Sequence, residues 1–222
     1  IPGFYDGIKF TPEEKAILDA VPDDEQAIKK RLGLGRTDQV GTTYQESIQY
    51  PSLNIRGMRA AWVGPEARTI VPDIAVAELD MRLVPESDPN RLFGLIKEHI
   101  QKQGFHIVET DPSDEERMKY PKIVKVNTSI SYQAFRTPMD SPTGAWLRSA
   151  MKRAFGEEPV QIRISGGSIP ISPFVDALGI PAVTIPTVNA DNNQHSPNEN
   201  IRLGNYKEGI LTIMSVLTEP MY

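Results

Sequence analysis

The chain has 222 residues, 39% of them hydrophobic and 24% charged, the balance of an ordinary globular protein and not of a disordered, fibrous or low-complexity one. Its 24 Lys and Arg against 29 Asp and Glu give a net charge of −5, which excludes a general electrostatic drive toward nucleic acid or an anionic membrane. There is no cysteine, so disulfides, thiolate zinc sites, iron–sulfur ligation and thiol catalysis are excluded together, and any metal has to be held by His, Asp and Glu.

The chain opens IPGFYDG, with neither an initiator Met nor a charged start followed by an apolar signal core, and Ile1 is therefore expected not to be the native start. Thr11, Pro12 and Glu14 read as a helix start, with Ile17, Leu18 and Val21 following at helical spacing. A second short helix through Ala27, Ile28, Arg31 and Leu32 is expected to stop at Gly33 and Gly35. From Leu53 the period changes to two. LNIRGM predicts one strand and Ile74 to Val84 a longer one, with Ala75, Ala77, Leu79, Met81 and Leu83 on one face and Glu78, Asp80 and Arg82 on the other, the pattern of a half-buried antiparallel strand. Asp88 and Pro89 start a helix whose Leu92, Leu95, Ile96 and Ile100 face inward, and Gly104 closes it. FHIVE and KIVKVNTSI are two further strands. This order predicts an α+β arrangement with helices on one face of a sheet.

Beyond Pro138 and Pro142 the grammar becomes α/β. A helix starts at Ser141 and Pro142, carries Trp146, Ala150, Met151 and Phe155, and stops at Gly156. QIRI, a glycine loop, a helix near Pro173 to Leu178, the apolar strand PAVTIP, a long polar loop and a last helix from about Leu203 complete the chain. The strands of this half read as buried, with parallel pairing open to them. The boundary falls near residues 134 to 141, giving domains of 1–136 and 137–222. A chain of this mass has roughly 36,000 Å² to expose when extended and about 10,000 Å² when compact, enough burial for a core without staples.

Three segments are candidates for chemistry. The loop SGGSIP, Ser165 to Pro170, joins a predicted strand to a predicted helix, where paired glycines let a backbone approach an anionic ligand; a tight turn without a ligand fits equally, and the glycine and Lys spacing of a P-loop is lacking. The segment NADNNQHSPNEN, 189–200, is polar throughout apart from Ala190 and Pro197 and follows a predicted buried strand, where open α/β sheets place ligands. His195 is its one side chain able both to bind a metal and to titrate near neutrality; a solvated loop with an incidental His remains the plain alternative. Arg82, on the polar face of its strand, offers a guanidinium fork for a carboxylate, or a salt bridge to Glu78 or Asp80. His99 and His106 read as structural.

Taken together, IPGFYDG, YPSLNIRG, TIVPDIAVAELDMRLVP, FGEEPV, GGSIPI and HSPNENIRLGNY resemble, in order and across nearly the whole chain, the C-terminal portion of an M20 family metallopeptidase of the carnosinase-like, cytosolic non-specific dipeptidase branch. The resemblance implies an antiparallel sheet with helices as a lid and dimerisation domain, incomplete at its N-terminus, followed by part of an α/β zinc-peptidase domain. It implies a hydrolase that cleaves the amide bond of dipeptides or small peptides, two zinc ions with manganese as a substitute, a homodimer formed through the lid, a cytoplasmic location and no nucleic-acid or membrane partner. By the same resemblance His195 is a metal ligand, and Thr69, Arg82, Gly166, Gly167 and Ser168 bind substrate. The remaining metal ligands and the general base belong to a segment before this chain, which by itself is expected to be inactive. SISYQAFRTP lacks a substrate-contacting His often found there in this branch. A deacylase of N-acyl amino acids on the same scaffold and a non-catalytic lid fragment are the alternatives.

Overall fold

A computed structural model describes residues 1–38, 40–167 and 169–221. Among them the order is α1 (Pro12–Asp19), α2 (Glu25–Leu32), α3 (Tyr44–Ser47), β1 (Ser52–Ala60), a 3₁₀ turn (Gly64–Glu66), β2 (Ala75–Arg82), α4 (Pro89–Lys102), β3 (His106–Val108), α5 (Asp114–Lys119), β4 (Ile123–Lys125), α6 (Pro142–Phe155), α7 (Ser172–Leu178) and α8 (Leu203–Leu217). The fold is mixed α/β with a small antiparallel sheet. The chain forms two compact units, Ile1–Pro12 with Asp24–Ala134, and Glu13–Asp23 with the residues from Phe135 onward. Most of α1 thus belongs to the second unit, which a single cut in the sequence does not separate.

In the first unit β1 and β2 form an antiparallel ribbon, with Ser52 opposite Arg82 and Ala60 opposite Ala75 and an irregularity at Arg56. Arg56 donates to Glu78 across the strands at 2.9 Å. The expected half-burial of β2 is not what the structure shows: Ala75 to Leu79 are exposed on both faces. A two-stranded ribbon has no layer of its own to cover its apolar face, and alternation in sequence cannot supply one. The second sheet pairs β3 with β4 in parallel, so the first unit has two small sheets in place of one. The helix ends follow from local chemistry. Asp88 accepts from the Asn90 amide at 2.9 Å with Pro89 in the first turn of α4. Ser113 and Glu116 form a reciprocal capping box at the start of α5, a helix the periodicity did not reveal. Arg91 on α4 donates to the carbonyls of Gly3 and Asp6 at 2.8 and 3.2 Å, pinning the first turn of the chain to α4. The buried apolar residues of this unit are Phe4, Val84, Leu92 and Val108.

In the second unit α6 packs on α8. Ser141 caps α6 by accepting from the Gly144 amide, and Gly156 closes it in the left-handed conformation. Leu18 of α1, Leu147 and Ala150 are buried here, and Arg163 forms a buried ion pair with Glu14 of α1 at 2.6 Å. The expected strands QIRI and PAVTIP form no strand and join no ladder among the described residues. Strand structure needs a neighbour's amides and carbonyls. At one point a side chain substitutes: the Thr137 hydroxyl donates to the Ala182 carbonyl at 2.6 Å and accepts from its amide at 3.0 Å.

Candidate functional site

The polar loop around His195 is braced from both ends. Asn189, 6% exposed, donates through Nδ2 to Asp191 at 2.9 Å, and its Oδ1 accepts from the Arg202 amide at 3.1 Å. The Arg202 guanidinium closes the triangle on the second Asp191 oxygen. The Asn189 hydrogen bond, more than the Arg202 charge, holds the Asp191 carboxyl below the usual carboxylate range. Inside this frame the Asn200 amide donates to the Asn192 carbonyl at 2.9 Å and the Gln194 amide to the Asn192 side chain at 3.2 Å. The Ser196 amide closes a turn on the Asn193 carbonyl at 2.9 Å. Asn193, His195 and Asn198 take φ of 53°, 62° and 62°, left-handed values that cost a residue with a Cβ about 1 kcal/mol each. Two of the three are Asn, the side chain best suited to that region; His195 is there because the turn puts it there. Its imidazole is exposed.

Gly166 in the glycine loop has φ 76°, which explains that glycine by backbone conformation alone. Gly167 differs: its φ is not positive, and a Cβ added there meets no atom nearer than the Ser165 hydroxyl at 3.9 Å. Nothing in the chain's own packing requires glycine at that position. Ser168 lies outside the described residues. Ser172, where α7 begins, is 1% exposed and its hydroxyl has no hydrogen-bond partner among the described residues.

In the first unit Thr69 sits at the end of the β1–β2 ribbon, exposed, between the 3₁₀ turn and β2. Arg82 lies at the opposite end, seven residues along β2 from Ala75, or about 23 Å of strand. Thr69 and Arg82 are therefore not brought together within one copy of the ribbon. Arg82 Nε donates to Asp80 at 2.6 Å, the salt-bridged form of the two readings open from sequence. Glu78, the other candidate acid, is held by Arg56. Among the described residues no three His, Asp or Glu side chains gather where a metal ion would fit. The donors among the described residues do not by themselves make a metal cage.

A family model described as peptidase family M20/M25/M40 matches residues 75–219, and a peptidase dimerisation domain model matches residues 16–107. The chain belongs to the M20/M25/M40 peptidase family. Among curated M20 relatives it is 27% identical over 218 residues to the Cys-Gly metallodipeptidase dug1 of Schizosaccharomyces pombe, covering 95% of this chain and 42% of that protein. It is 26% identical to the Beta-Ala-His dipeptidase of Rattus norvegicus over 94% of this chain and 41% of that one. Among solved structures it resembles the M20 family metallo-carboxypeptidase Sso-CP2 of Sulfolobus solfataricus, with TM-score 0.72 and 30% identity over 97% of this chain and 47% of that one. Human carnosine dipeptidase 1 follows at TM-score 0.68 and 25% identity, over 97% and 44%. The chain thus spans less than half the length of these M20 relatives. Asn189 and Arg202 are the site residues that sequence reasoning passed over. The density of Asn and Asp around one His is the signal in hindsight, since such residues close turns on their own backbone.

Proposed function

We propose that the protein carrying this chain is a metal-dependent hydrolase of dipeptides or other small peptides, and that residues 1–136 supply its lid and dimerisation surface and residues 137–222 the last part of its catalytic domain. The observation that carries this is the match of nearly the whole chain to dipeptidases of one peptidase family, with His195 presented from a turn that its neighbours hold in place. His195 is read as one ligand of a divalent ion, zinc or manganese, whose other ligands lie outside these 222 residues. No catalytic step is assigned to the chain's own side chains; their part is binding and orientation. Thr69, Arg82, Gly166, Gly167 and Ser168 contact substrate. Because Thr69 and Arg82 occupy opposite ends of one ribbon, a homodimer lets each end serve a different site. The resemblance to the cytosolic branch supports a cytoplasmic location. Among the described residues no helix is long and apolar enough to cross a membrane.

The direct test uses the complete protein. His195→Ala is expected to lower bound metal and to reduce dipeptide hydrolysis at least a hundredfold, the scale on which a metal-site residue acts. Unchanged metal content and rate would remove His195 from the site. Hydrolysis of an unblocked dipeptide in preference to an N-acetyl amino acid supports the peptidase reading, and the reverse preference makes the enzyme a deacylase.

A further inference from the structure

The end of the β1–β2 ribbon is more ordered than an exposed loop has to be. Ala61 leaves β1 at φ 49° and Gly64 follows at φ 66°, reversing the chain into the 3₁₀ turn, which the Ala67 amide closes on the Gly64 carbonyl at 3.0 Å. The Arg68 guanidinium then lies over the Trp62 ring, 4.9 Å from its centroid, a distance at which the ring's quadrupole attracts the cation. Directly after it the Ile70 amide donates to the Arg68 carbonyl at 2.9 Å. That three-residue turn has Thr69 at its centre. Arg68 is thus fixed at both ends, its side chain by Trp62 and its carbonyl by Ile70. Two other arginines of the ribbon are paired with acids, Arg56 with Glu78 and Arg82 with Asp80. Arg68 instead takes an aromatic partner within the same turn, which holds the turn without neutralising it.

Trp62 itself is 47% exposed and flanked by Val63 at 84%, so this ring is not serving a core. We propose that Trp62 and Arg68 are positioning residues: their stacking fixes the turn that presents the Thr69 hydroxyl, and they act on substrate through Thr69. This rests on the reading of Thr69 as a substrate contact.

A double-mutant cycle in the complete protein tests it, with dipeptide hydrolysis resolved into kcat and KM. Thr69→Ala is expected to raise KM up to about tenfold, the loss of one hydrogen bond to substrate. Trp62→Ala and Arg68→Met should each raise KM about two- to fivefold, the range of an exposed cation–π contact, with kcat unchanged. Trp62→Phe, which keeps an aromatic face under the guanidinium, should restore most of the KM. In the Thr69→Ala background Trp62→Ala should add nothing. Full additivity there, or wild-type KM in both Trp62→Ala and Arg68→Met, overturns the clamp while leaving Thr69 in the site. Wild-type KM in Thr69→Ala overturns the Thr69 reading itself, and the clamp with it. Both substitutions lie on an exposed turn, and Arg59→Ala, on the same ribbon but outside the turn, serves as the control that should leave KM unchanged.

Discussion

Glu219 holds the end of α8 to α6 through three different groups. Its carboxylate accepts from the Ser149 hydroxyl and from Arg153 Nε at 2.9 Å, and its backbone carbonyl accepts from the Trp146 indole at 3.2 Å. The Ser149 hydrogen bond first, and then the Arg153 guanidinium, hold the Glu219 carboxyl below the ordinary glutamate value. A carboxylate whose folded value is lowered stabilises the fold fully above its unfolded value, and that contribution is lost as pH falls through the folded one. Glu219→Gln should therefore lower Tm near neutrality and narrow its gap to wild type as the buffer is taken into the acid range, which thermal melts at a series of pH values would show. Gly167 and Ser172 separate structure from function at the same scale. Because a Cβ at Gly167 meets, among the described residues, only the Ser165 hydroxyl at an ordinary contact distance of 3.9 Å, Gly167→Ala should shift stability by less than about 0.5 kcal/mol. If the glycine is there so that a ligand can approach its backbone, the same change should raise KM. The Ser172 hydroxyl is buried without a partner among the described residues, and Ser172→Ala should stabilise by about 1 kcal/mol in denaturant melts.

At the scale of elements, α4 and α8 make opposite use of their apolar residues. Leu92 of α4 is fully buried, and Leu92→Ala should cost about 2–5 kcal/mol in urea unfolding, the transfer and cavity terms together. Helix α8 buries its small and polar positions, Gly209, Thr212 and Ser215, while Leu203, Ile213, Met214 and Leu217 are each more than half exposed. At Gly209 an added Cβ would stand 3.1 Å from the Thr187 Cβ, so the close approach of that segment to α8 depends on the missing side chain. Helix boundaries were legible in the sequence wherever a cap residue announced them: Asp88 with Pro89, Ser141 with Pro142, Gly33 and Gly156. Short helices without an apolar stripe, α3 and α5, were not. The strand positions β1 to β4 were legible from alternation. Their partners were not, because pairing is decided between segments distant in the chain, and QIRI and PAVTIP found none among the described residues.

Taken as a whole, the molecule exposes 16455 Å². A compact monomer of its mass would expose about 10,000 Å², and even two separate units of half the mass about 12,000 Å². The excess has identifiable sources: the ribbon in the first unit, with Ile55, Met58 and Ile74 each over 60% exposed, and α8 with Val160 and Ile180 in the second. Apolar area on this scale binds other apolar surface. The 222-residue chain alone is expected to bind ANS and to self-associate, and the complete protein proposed above to do neither beyond its native assembly. Fluorescence titration and sizing by light scattering would check both.

The candidate site divides along the same line. Composition, helix caps, the positions of β1 to β4 and the order of the motifs are properties of neighbouring residues, and the sequence by itself determined them, family membership and the prominence of His195 included. What surrounds each group is set by segments far apart in the chain, so the tertiary structure alone decided it. Asn189 meets the start of α8 across thirteen residues, Arg56 meets Glu78 across the ribbon, and the Thr137 hydroxyl meets the Ala182 carbonyl. Local pattern fixes which side chains are available; which ones meet is settled by packing and hydrogen bonds that no window of sequence contains.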